Sequence, residues 1–220
     1  MIDIETIGED IKLLEGIRST RAIRRLKPDP VPVELVRKVC EAGTFAPSGG
    51  NRQPWFFIAV MEQERRAFIA DRYQRTFFEY IKPAIKAAKQ PDYPAAKRRN
   101  MKAAIYLAEH LHEAPVHLLI AGWTRRGTAQ TQALFPAIQN ILLACRAVGL
   151  GASLTTAHRA FGAEIDEYVG LSERTPSCAL LPIGWPLGKY GRPNRRSIDS
   201  SFFVDRMPEQ PLTDPVRRPV

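Results

Sequence analysis

Residues 44–60, TFAPSGGNRQPWFFIAV, join a polar loop directly to an apolar strand. Proline, serine, glycine and asparagine fill the loop, and these residue types favour turns. The adjacent glycines Gly49 and Gly50 let the backbone approach a flat or charged ligand closely, while Ser48 and Asn51 supply small polar groups. The same composition fits an ordinary turn before a strand, so this stretch alone leaves a ligand-binding loop and a plain turn equally open.

The overall composition is that of a globular domain with a packed core, since 45% of the 220 residues are hydrophobic and 25% are charged. No apolar run is long enough to cross a membrane, and the N-terminus lacks the basic start and apolar centre of a secretory signal. The three cysteines form no C-x-x-C pair and lie in apolar stretches, which is typical of buried thiols in a reducing compartment. We therefore expect a single cytoplasmic domain over residues 1–220 with no membrane partner.

The net charge of +9 restricts the kinds of partner that the chain can bind. Such a balance fits either a nucleic acid or small anions such as a phosphorylated cofactor. The basic doublets are scattered along the sequence, and it contains neither a basic motif interleaved with aromatic residues nor a helix-turn-helix pattern. The pattern favours small anions over nucleic acid, and a basic nucleic-acid-binding protein stays as the alternative from a different class.

Hydrophobic periodicity predicts an alternation of helices and strands. The predicted helices cover residues 3–17, 33–42, 62–88, 100–112, 128–148 and 161–169. The predicted strands cover residues 55–60, 116–121, 152–156 and 177–185. Pro83 is expected to kink or break the third helix, and the polar residues 90–99 are expected to form a loop. This alternation indicates an α+β domain with about four strands and with helices on both sides.

A doubly wound nucleotide-binding fold is the other architecture that such an alternation suits, and the glycines argue against it. Residues 149–154, GLGASL, lack the third glycine of the dinucleotide fingerprint. They also follow a helix and precede a strand, which is the reverse of the required order.

Two further segments are expected to meet another surface. The helix predicted over 128–148 is apolar on nearly all sides, so it is buried either in a core or in a subunit interface. The proline-bearing tail from Ser200 cannot form a core of its own, so we expect it to lie along another surface.

Two basic loops near opposite ends of the chain have the composition of a phosphate site. Residues 18–25, RSTRAIRR, place four arginines and two hydroxyl groups together, and residues 192–196, RPNRR, follow a predicted strand. Guanidinium groups form forked, charge-assisted hydrogen bonds to phosphate oxygens. The two loops can converge on one phosphate, whereas the plain alternative is a pair of solvated basic turns.

The sequence offers no obvious acid, base or nucleophile. The four histidines show no metal-ligand spacing, no G-x-S-x-G motif is present, and carboxylates are sparse near the glycine-rich loops. We therefore expect no metal site. Anion-binding loops without such side chains are typical of an enzyme whose cofactor carries the reaction.

Four blocks of the sequence resemble the FMN-dependent nitroreductase family, which includes iodotyrosine deiodinase and the flavin-cleaving enzymes of cobalamin synthesis. The blocks are TRAIRRLKPDPVP at 20–32, APSGGNRQPW at 46–55, ALFPAIQNILLACRAVGLGASLTT at 133–156 and LLPIGWPLGKYGRPNRRSID at 180–199. They fall in family order and span nearly the whole chain. The resemblance implies an α+β fold with a central mixed or antiparallel sheet flanked by helices. It also implies a homodimer in which a C-terminal arm, residues 200–220, wraps the partner subunit.

The resemblance implies that the two basic loops bind the FMN phosphate. The residues at the matching positions are Thr20, Arg21, Ala22, Arg24, Arg195 and Arg196. Many family members have a serine where this chain has Ala22, so we expect Ser19 or Thr20 to replace that hydroxyl contact.

The resemblance also implies that two further segments contact the flavin ring. Packing on the ring from the partner subunit is expected of Pro47, Ser48 and Gly49, with Asn51 close by. A strand end whose backbone faces flavin N5 and O4 is expected at Leu154, Thr155 and Thr156. No side chain is expected to act as a catalytic group, because the flavin carries the chemistry.

The activity that the resemblance implies is reduction of FMN by NADPH or NADH, followed by reduction of a second small molecule on the same flavin face. Nitroaromatics and quinones are the typical acceptors. A dehalogenase-like or flavin-cleaving activity is the alternative inside the family, and a flavin carrier without turnover is a non-catalytic alternative. Basic residues in and around 90–99 hint at an anionic acceptor or at the phosphate of NADPH.

Overall fold

The computed structural model describes residues 3–125, 128–129 and 131–207. The described helices are α1 (Leu13–Ser19), α2 (Val33–Thr44), α3 (Gln63–Ala87), α4 (Ala95–His110), α5 (Phe135–Ala147) and α6 (Gly162–Tyr168). The described strands are β1 (Trp55–Val60), β2 (Val116–Gly122), β3 (Thr124–Arg125), β4 (Thr128–Ala129), β5 (Gly151–Ala152) and β6 (Ser177–Gly184). Helices and strands alternate along the chain, as the sequence predicts for an α+β domain.

Four of the strands form one antiparallel sheet in the order β1–β2–β6–β5. Strands β2 and β6 are buried over their whole length, as central strands covered on both faces must be. Within the described residues, the short strand β5 pairs with the end of β6, where Gly151 lies opposite Gly184 and Ala152 lies opposite Ile183. The end of β5 therefore lies at one corner of the sheet.

Helices cover both faces of the sheet. Side chains alternate between the two faces along each strand, so consecutive residues of β2 contact different helices. Leu118 and Ile120 of β2 belong to a core cluster that includes residues of α2 and α5. The residue between them, Leu119, belongs to a second cluster that includes residues of α3 and α4. Full burial of a leucine or isoleucine side chain contributes roughly 1.5–3 kcal/mol, so the two clusters hold the helices firmly against the sheet.

Several predicted elements are confirmed by the structure. The strand predicted over 55–60 is β1 with the same bounds, and the helix predicted over 33–42 is α2 with two further residues. The helix predicted over 62–88 is α3, in which Pro83 lies inside the helix without ending it. None of the described helices is both long and apolar enough to cross a lipid bilayer.

The N-terminal helix is shorter than the prediction of residues 3–17, because it begins only at Leu13. Gly8 has a φ of 91°, which lies in the left-handed region, and Lys12 has an extended backbone. Both conformations interrupt the right-handed helix that the apolar spacing suggested.

Three other boundaries also differ from the predictions. Residues 95–99, expected in a loop, form the start of α4, where Pro94 precedes the helix and Lys97 and Arg99 are exposed. The half-buried Arg98 donates to the backbone oxygen of Gln90 at 3.0 Å, which ties the helix to the preceding turn. The helix predicted over 128–148 begins at Phe135, where Pro136 fits the first turn. The strand predicted over 152–156 is limited to β5 and an isolated bridge from Thr155 to Leu180.

The C-terminal arm predicted over 200–220 lies only partly within the described residues, which end at Met207. Of the described part, Phe202 and Val204 are 66% and 68% exposed. These apolar side chains therefore find no cover on their own chain among the described residues.

Two histidines lie buried beside the sheet. Nε2 of His117 on β2 lies 2.8 Å from the backbone oxygen of Leu111, and Nε2 of His158 lies 3.2 Å from Oγ of Ser177. Burial disfavours the charged imidazolium, so the pKa of each histidine falls from 6.5 to about 4.

We expect the free energy of unfolding to fall as the pH is lowered from 6.5 towards 4. In this window the unfolded chain takes up protons at His117 and His158 that the folded chain refuses, and each group contributes about 1 kcal/mol per pH unit. In a His117→Gln variant the dependence of the unfolding free energy on pH should be less steep by the contribution of one histidine, because glutamine does not titrate. Urea unfolding at several pH values measures the slope, and an unchanged slope in the variant would contradict the assignment.

Candidate functional site

The N-terminal basic loop continues into an extended segment, residues 23–27, which is hydrogen-bonded to the corner of the sheet. The N–H of Ile23 donates to the backbone oxygen of Ala152 at 2.9 Å, and the N–H of Lys27 donates to that of Trp185 at 2.7 Å. The basic loop is therefore fixed beside β5 and beside the chain that follows β6.

The close approach of this segment to β5 requires a glycine at position 151. A Cβ atom on Gly151 would lie 2.7 Å from Cγ2 of Ile23 and 2.8 Å from Cδ2 of Leu26. Both distances are well below ordinary contact between carbon atoms. Because Ile23 and Leu26 are buried against the strand, Arg24 and Arg25 are left on the outer side of the segment.

A first cavity of about 300 Å³, the inner cavity, lies where the two basic loops meet the end of β5. Its lining includes five residues that the sequence predicts for cofactor binding: Thr20, Arg21, Ala22, Leu154 and Arg195. The structure thus brings both basic loops and the strand end together around one space. Arg196, predicted together with Arg195, does not line this cavity.

A second cavity of about 420 Å³, the outer cavity, shares Leu154 with the inner one. It is also lined by Arg24, Thr155 and Thr156 and by aromatic side chains of α3. Arg24, predicted with Arg21 for the same phosphate, therefore lines the outer cavity and not the inner one. Each volume falls within the range of small-molecule sites, roughly 300–1,000 Å³.

The predicted loop at residues 47–51 lines neither cavity. Oγ of Ser48 accepts a hydrogen bond from the N–H of Gln53 at 3.0 Å, and the N–H of Asn51 donates to the backbone oxygen of Ser48 at 2.9 Å. Asn51 and Gln53 have φ values of 51° and 47°, a left-handed conformation that costs about 1–3 kcal/mol away from glycine. Strain of this kind clusters at binding sites, although within one chain the loop stands apart from the two cavities.

The hydroxyl groups of Ser19 and Thr20 are used at the end of α1. They donate to the backbone oxygens of Glu15 and Gly16, each at 2.7 Å. Ser19 is buried, and its oxygen also accepts a hydrogen bond from Nε of Arg146 at 2.9 Å. Each hydroxyl hydrogen is therefore used within the chain in this structure, and the expectation that Ser19 or Thr20 replaces the missing serine contact stays a prediction.

Sequence reasoning missed two tyrosines that line the cavities. Tyr73 on α3 is buried, and its hydroxyl lies 3.1 Å from Oγ1 of Thr155 in the outer cavity. Tyr190 lines the inner cavity, donates its hydroxyl hydrogen to the backbone oxygen of Leu150 and lies under the guanidinium of Arg146 at 4.4 Å. Tyr73 lies on an apolar helix face whose pattern predicts only an ordinary core position. Tyr190 lies inside the fourth sequence block, 180–199, and its position there could have indicated a place in the site.

Several polar groups at the strand end have no partner within the described part of the chain. Oγ of Ser153 is buried without a hydrogen bond, and it belongs to the wall of the inner cavity. The N–H groups of Leu154 and Thr156 likewise meet no protein acceptor there, whereas the N–H of Thr155 donates to the backbone oxygen of Leu180 at 3.0 Å. Buried polar groups are nearly always paired in native proteins, so the buried Oγ of Ser153 is a group that a bound ligand would satisfy. Leu154 is half-buried and Thr156 is exposed, so their N–H groups are open to a ligand or to water.

The half-buried Arg24 completes the electrostatics of the outer cavity. Burial lowers the pKa of its guanidinium, and the nearby Tyr73 offsets part of this effect. No carboxylate lines either cavity among the residues described, so Arg24 faces the cavity as an unneutralised cation. A buried cation is stable only with a compensating partner, which points to an anionic or polarised group on a ligand.

The arrangement can bind and orient an anionic ligand, and its protein groups are donors rather than acids or bases. Neither cavity is lined by a histidine, a cysteine or a carboxylate from the described residues. The described part of the chain also places no cluster of histidine, cysteine or acidic side chains that could hold a metal ion. The chemistry of such a site must come from what it binds.

Comparisons with known proteins identify the family of the chain. The model of the Nitroreductase family matches residues 17–185, and the chain belongs to that family. Among its relatives is the 5,6-dimethylbenzimidazole synthase of Rhodospirillum rubrum, which is 31% identical over 186 residues that cover 79% of this chain and 81% of that protein.

Solved structures share the fold. The crystal structure of an oxidised iodotyrosine deiodinase bound to FMN and 3-iodo-L-tyrosine superimposes with a TM-score of 0.68 and 22% identity, covering 84% of this chain and 96% of that one. The FMN and NADPH-dependent nitroreductase NfnB from Sphigopyxis sp. strain HMH gives a TM-score of 0.67 and 19% identity, covering 90% and 100%. At this level of identity the likeness establishes the fold, an antiparallel sheet flanked by helices, as the sequence predicted.

Replacing Gly151 by alanine should disturb both the fold and the site. Because the new methyl group would collide with Ile23 and Leu26, we expect Gly151→Ala to lower the free energy of unfolding by about 1–3 kcal/mol. Urea unfolding measures this. The matched control is Gly162→Ala, whose Cβ would meet no atom within 4 Å and whose φ of −58° suits a helix, so it should be neutral or slightly stabilising. Equal stability of the two variants would show that the contact is not needed.

Proposed function

We propose that the chain binds FMN across the inner and outer cavities and uses it to pass electrons from NADPH or NADH to a nitroaromatic, a quinone or a related small molecule. The observation that carries this proposal is the convergence of Arg21, Arg195 and Leu154 on one cavity that continues into a second. Bound FMN would supply two-electron transfer chemistry, which no side chain in the site offers. The groups present fit the phosphate, the ribityl chain and the ring system of FMN.

The inner cavity suits the phosphate end of the cofactor. Arg21 and Arg195 come from opposite ends of the chain and line the same space, so they can hold one phosphate between them with charge-assisted hydrogen bonds. The unpartnered hydroxyl of Ser153 and the amide of Gln139 lie in the same wall and suit the hydroxylated ribityl chain.

The outer cavity suits the ring system and a second flat molecule. The free N–H groups of Leu154 and Thr156 are donors on a rigid strand end, and Arg24 is a half-buried cation on the same cavity. Donors and a cation fixed in advance stabilise negative charge as it develops on a bound ring. Phe77 and Leu107, which are buried apolar side chains of the lining, would exclude water from one side of that ring.

The proposal includes a second copy of the chain. Leu13, Leu14 and Ile17 on α1 are 72%, 59% and 49% exposed, and Ile17 also lines the inner cavity. An exposed apolar surface that reaches a binding cavity is typical of a subunit interface that completes the site. The partner's copy of the strained loop at residues 47–51 would then cover the flavin ring, since the chain's own copy does not line the cavities.

A flavin-cleaving activity is the second candidate, because the chain is 31% identical to a 5,6-dimethylbenzimidazole synthase over most of its length. The two candidates differ in the fate of the cofactor. If the protein is a reductase, FMN remains intact after the reduced protein is exposed to air. If it cleaves flavin, the absorbance of FMN disappears and 5,6-dimethylbenzimidazole accumulates.

The direct test is anaerobic addition of NADPH to the purified protein while the flavin absorbance is followed. The proposal expects flavin bands that bleach with NADPH or NADH and return when a nitroaromatic or quinone is added. Flavin that stays oxidised with both donors would contradict the oxidoreductase and leave a carrier. A colourless protein that cannot be reconstituted with FMN would overturn the cofactor assignment and favour the nucleic-acid alternative.

Removing either cationic contact should weaken FMN binding. For Arg24→Gln we expect FMN binding to be about 10- to 100-fold weaker, because hydrogen bonds to charged groups contribute about 1.5–3 kcal/mol and this side chain is half-buried. For Arg195→Gln, which is exposed to solvent, we expect binding to be roughly 2- to 5-fold weaker. Fluorescence titration of the apoprotein with FMN measures both. Arg37→Gln, which removes an exposed charge from α2, is the control and should bind like the unmodified protein.

A further inference from the structure

A third cavity carries more positive charge than the proposed cofactor requires. This space of about 360 Å³, the basic cleft, shares Arg21, Ala22 and Arg24 with the inner and outer cavities. Its other cationic lining residues are Arg25, Arg99, Lys102 and Lys189. No acidic side chain lines it among the residues described.

Two of these cations come from the N-terminal half of α4. Arg99 and Lys102 are three residues apart, so they lie on one face of the helix. Both line the basic cleft, so this face of α4 forms one wall of it.

The cations of the basic cleft are exposed and lack carboxylate partners within the described part of the chain. Arg99, Lys102 and Lys189 form none of the ion pairs found there, and each is open to solvent. Arg25 is held in place by a ring contact, since its guanidinium carbon lies 4.7 Å from the centre of Tyr106. Like charges gathered around one cleft repel one another, and a bound anion relieves that repulsion.

After the charge of the FMN phosphate is balanced, four cations of the basic cleft remain for a second ligand. A phosphate monoester carries a charge of about −2 near neutral pH. In the proposed site that charge is met by Arg21 and Arg195 in the inner cavity, while Arg24 serves the outer one. The remaining cations, Arg25, Arg99, Lys102 and Lys189, therefore surround a cleft that opens beside the cofactor site without a partner of their own.

We propose that the basic cleft binds a phosphate monoester on the molecule that exchanges electrons with the cofactor. This inference rests on the proposed function, and it restricts the electron donor or the electron acceptor to molecules that carry a phosphate monoester. Two sources have this chemistry, namely the 2′-phosphate of NADPH and a phosphate on the electron acceptor. NADH and neutral acceptors lack the phosphate monoester, so they would gain less from the cleft.

Calorimetric titration of the FMN-loaded protein distinguishes the two sources without relying on turnover. The donor arm compares NADP⁺ with NAD⁺, which differ only by the 2′-phosphate. The acceptor arm compares 4-nitrophenyl phosphate with 4-nitroanisole, which lacks the phosphate. The phosphorylated member of at least one pair should bind more tightly, and its advantage should shrink as the salt concentration rises.

The variants Arg99→Gln and Lys102→Gln tie that advantage to the cleft. Each should weaken binding of the phosphorylated ligand about 2- to 5-fold, because each removes one exposed cation, and the double variant should lose more. Binding of 4-nitroanisole should not change, and binding of NAD⁺, which keeps its pyrophosphate but lacks the phosphate monoester, should change less than that of NADP⁺. Lys97→Gln is the matched control, since it removes an exposed charge from the same helix outside the lining of the cleft.

Two results would overturn the inference. One is equal binding within both ligand pairs, and the other is a loss in the Lys97→Gln control as large as that in the cleft variants. The proposed function fails differently, namely when the purified protein neither contains nor takes up FMN. Calorimetry of the same ligands on such a protein would still report whether the cleft binds a phosphate.

Discussion

The contact of Gly151 with the extended segment at residues 23–27 is the constraint on which the site depends. A side chain at position 151 would push Ile23 and Leu26 away from the strand. The backbone hydrogen bond from Ile23 to Ala152 fixes the same approach from the other direction. Because the apolar residues of the segment are held against the strand, Arg24 and Arg25 lie on the outer side of the segment, beside the end of β5.

The sheet and the charges then act together. Strands β2 and β6 are buried on both faces and fix the corner where β5 ends, so Leu154 follows directly on a rigid support. Arg21 and Arg195 reach that corner from opposite ends of the chain. In the proposed function the site would need no acid or base of its own, because fixed donors and cations would bind and polarise a ligand that brings its own reactivity.

Much of this was predictable from sequence, for identifiable reasons. The strands at 55–60 and 177–185 follow from continuous apolar runs, and the two basic loops follow from clustered arginines, because both signals are local. The missing part of helix 3–17 depends on the left-handed backbone at Gly8, which apolar spacing does not reveal. The separation of Arg24 from Arg21 into different cavities, and the place of Tyr73, are set by tertiary packing, so no short stretch of sequence encodes them.

The most direct test of the central claim is native mass spectrometry of the purified protein. We expect a dimer of two 24.7 kDa chains that carries two FMN molecules, because each site would take its basic loops from one chain and its loop at residues 47–51 from the other. A monomer that carries FMN, or a dimer whose mass includes no flavin, would contradict the account.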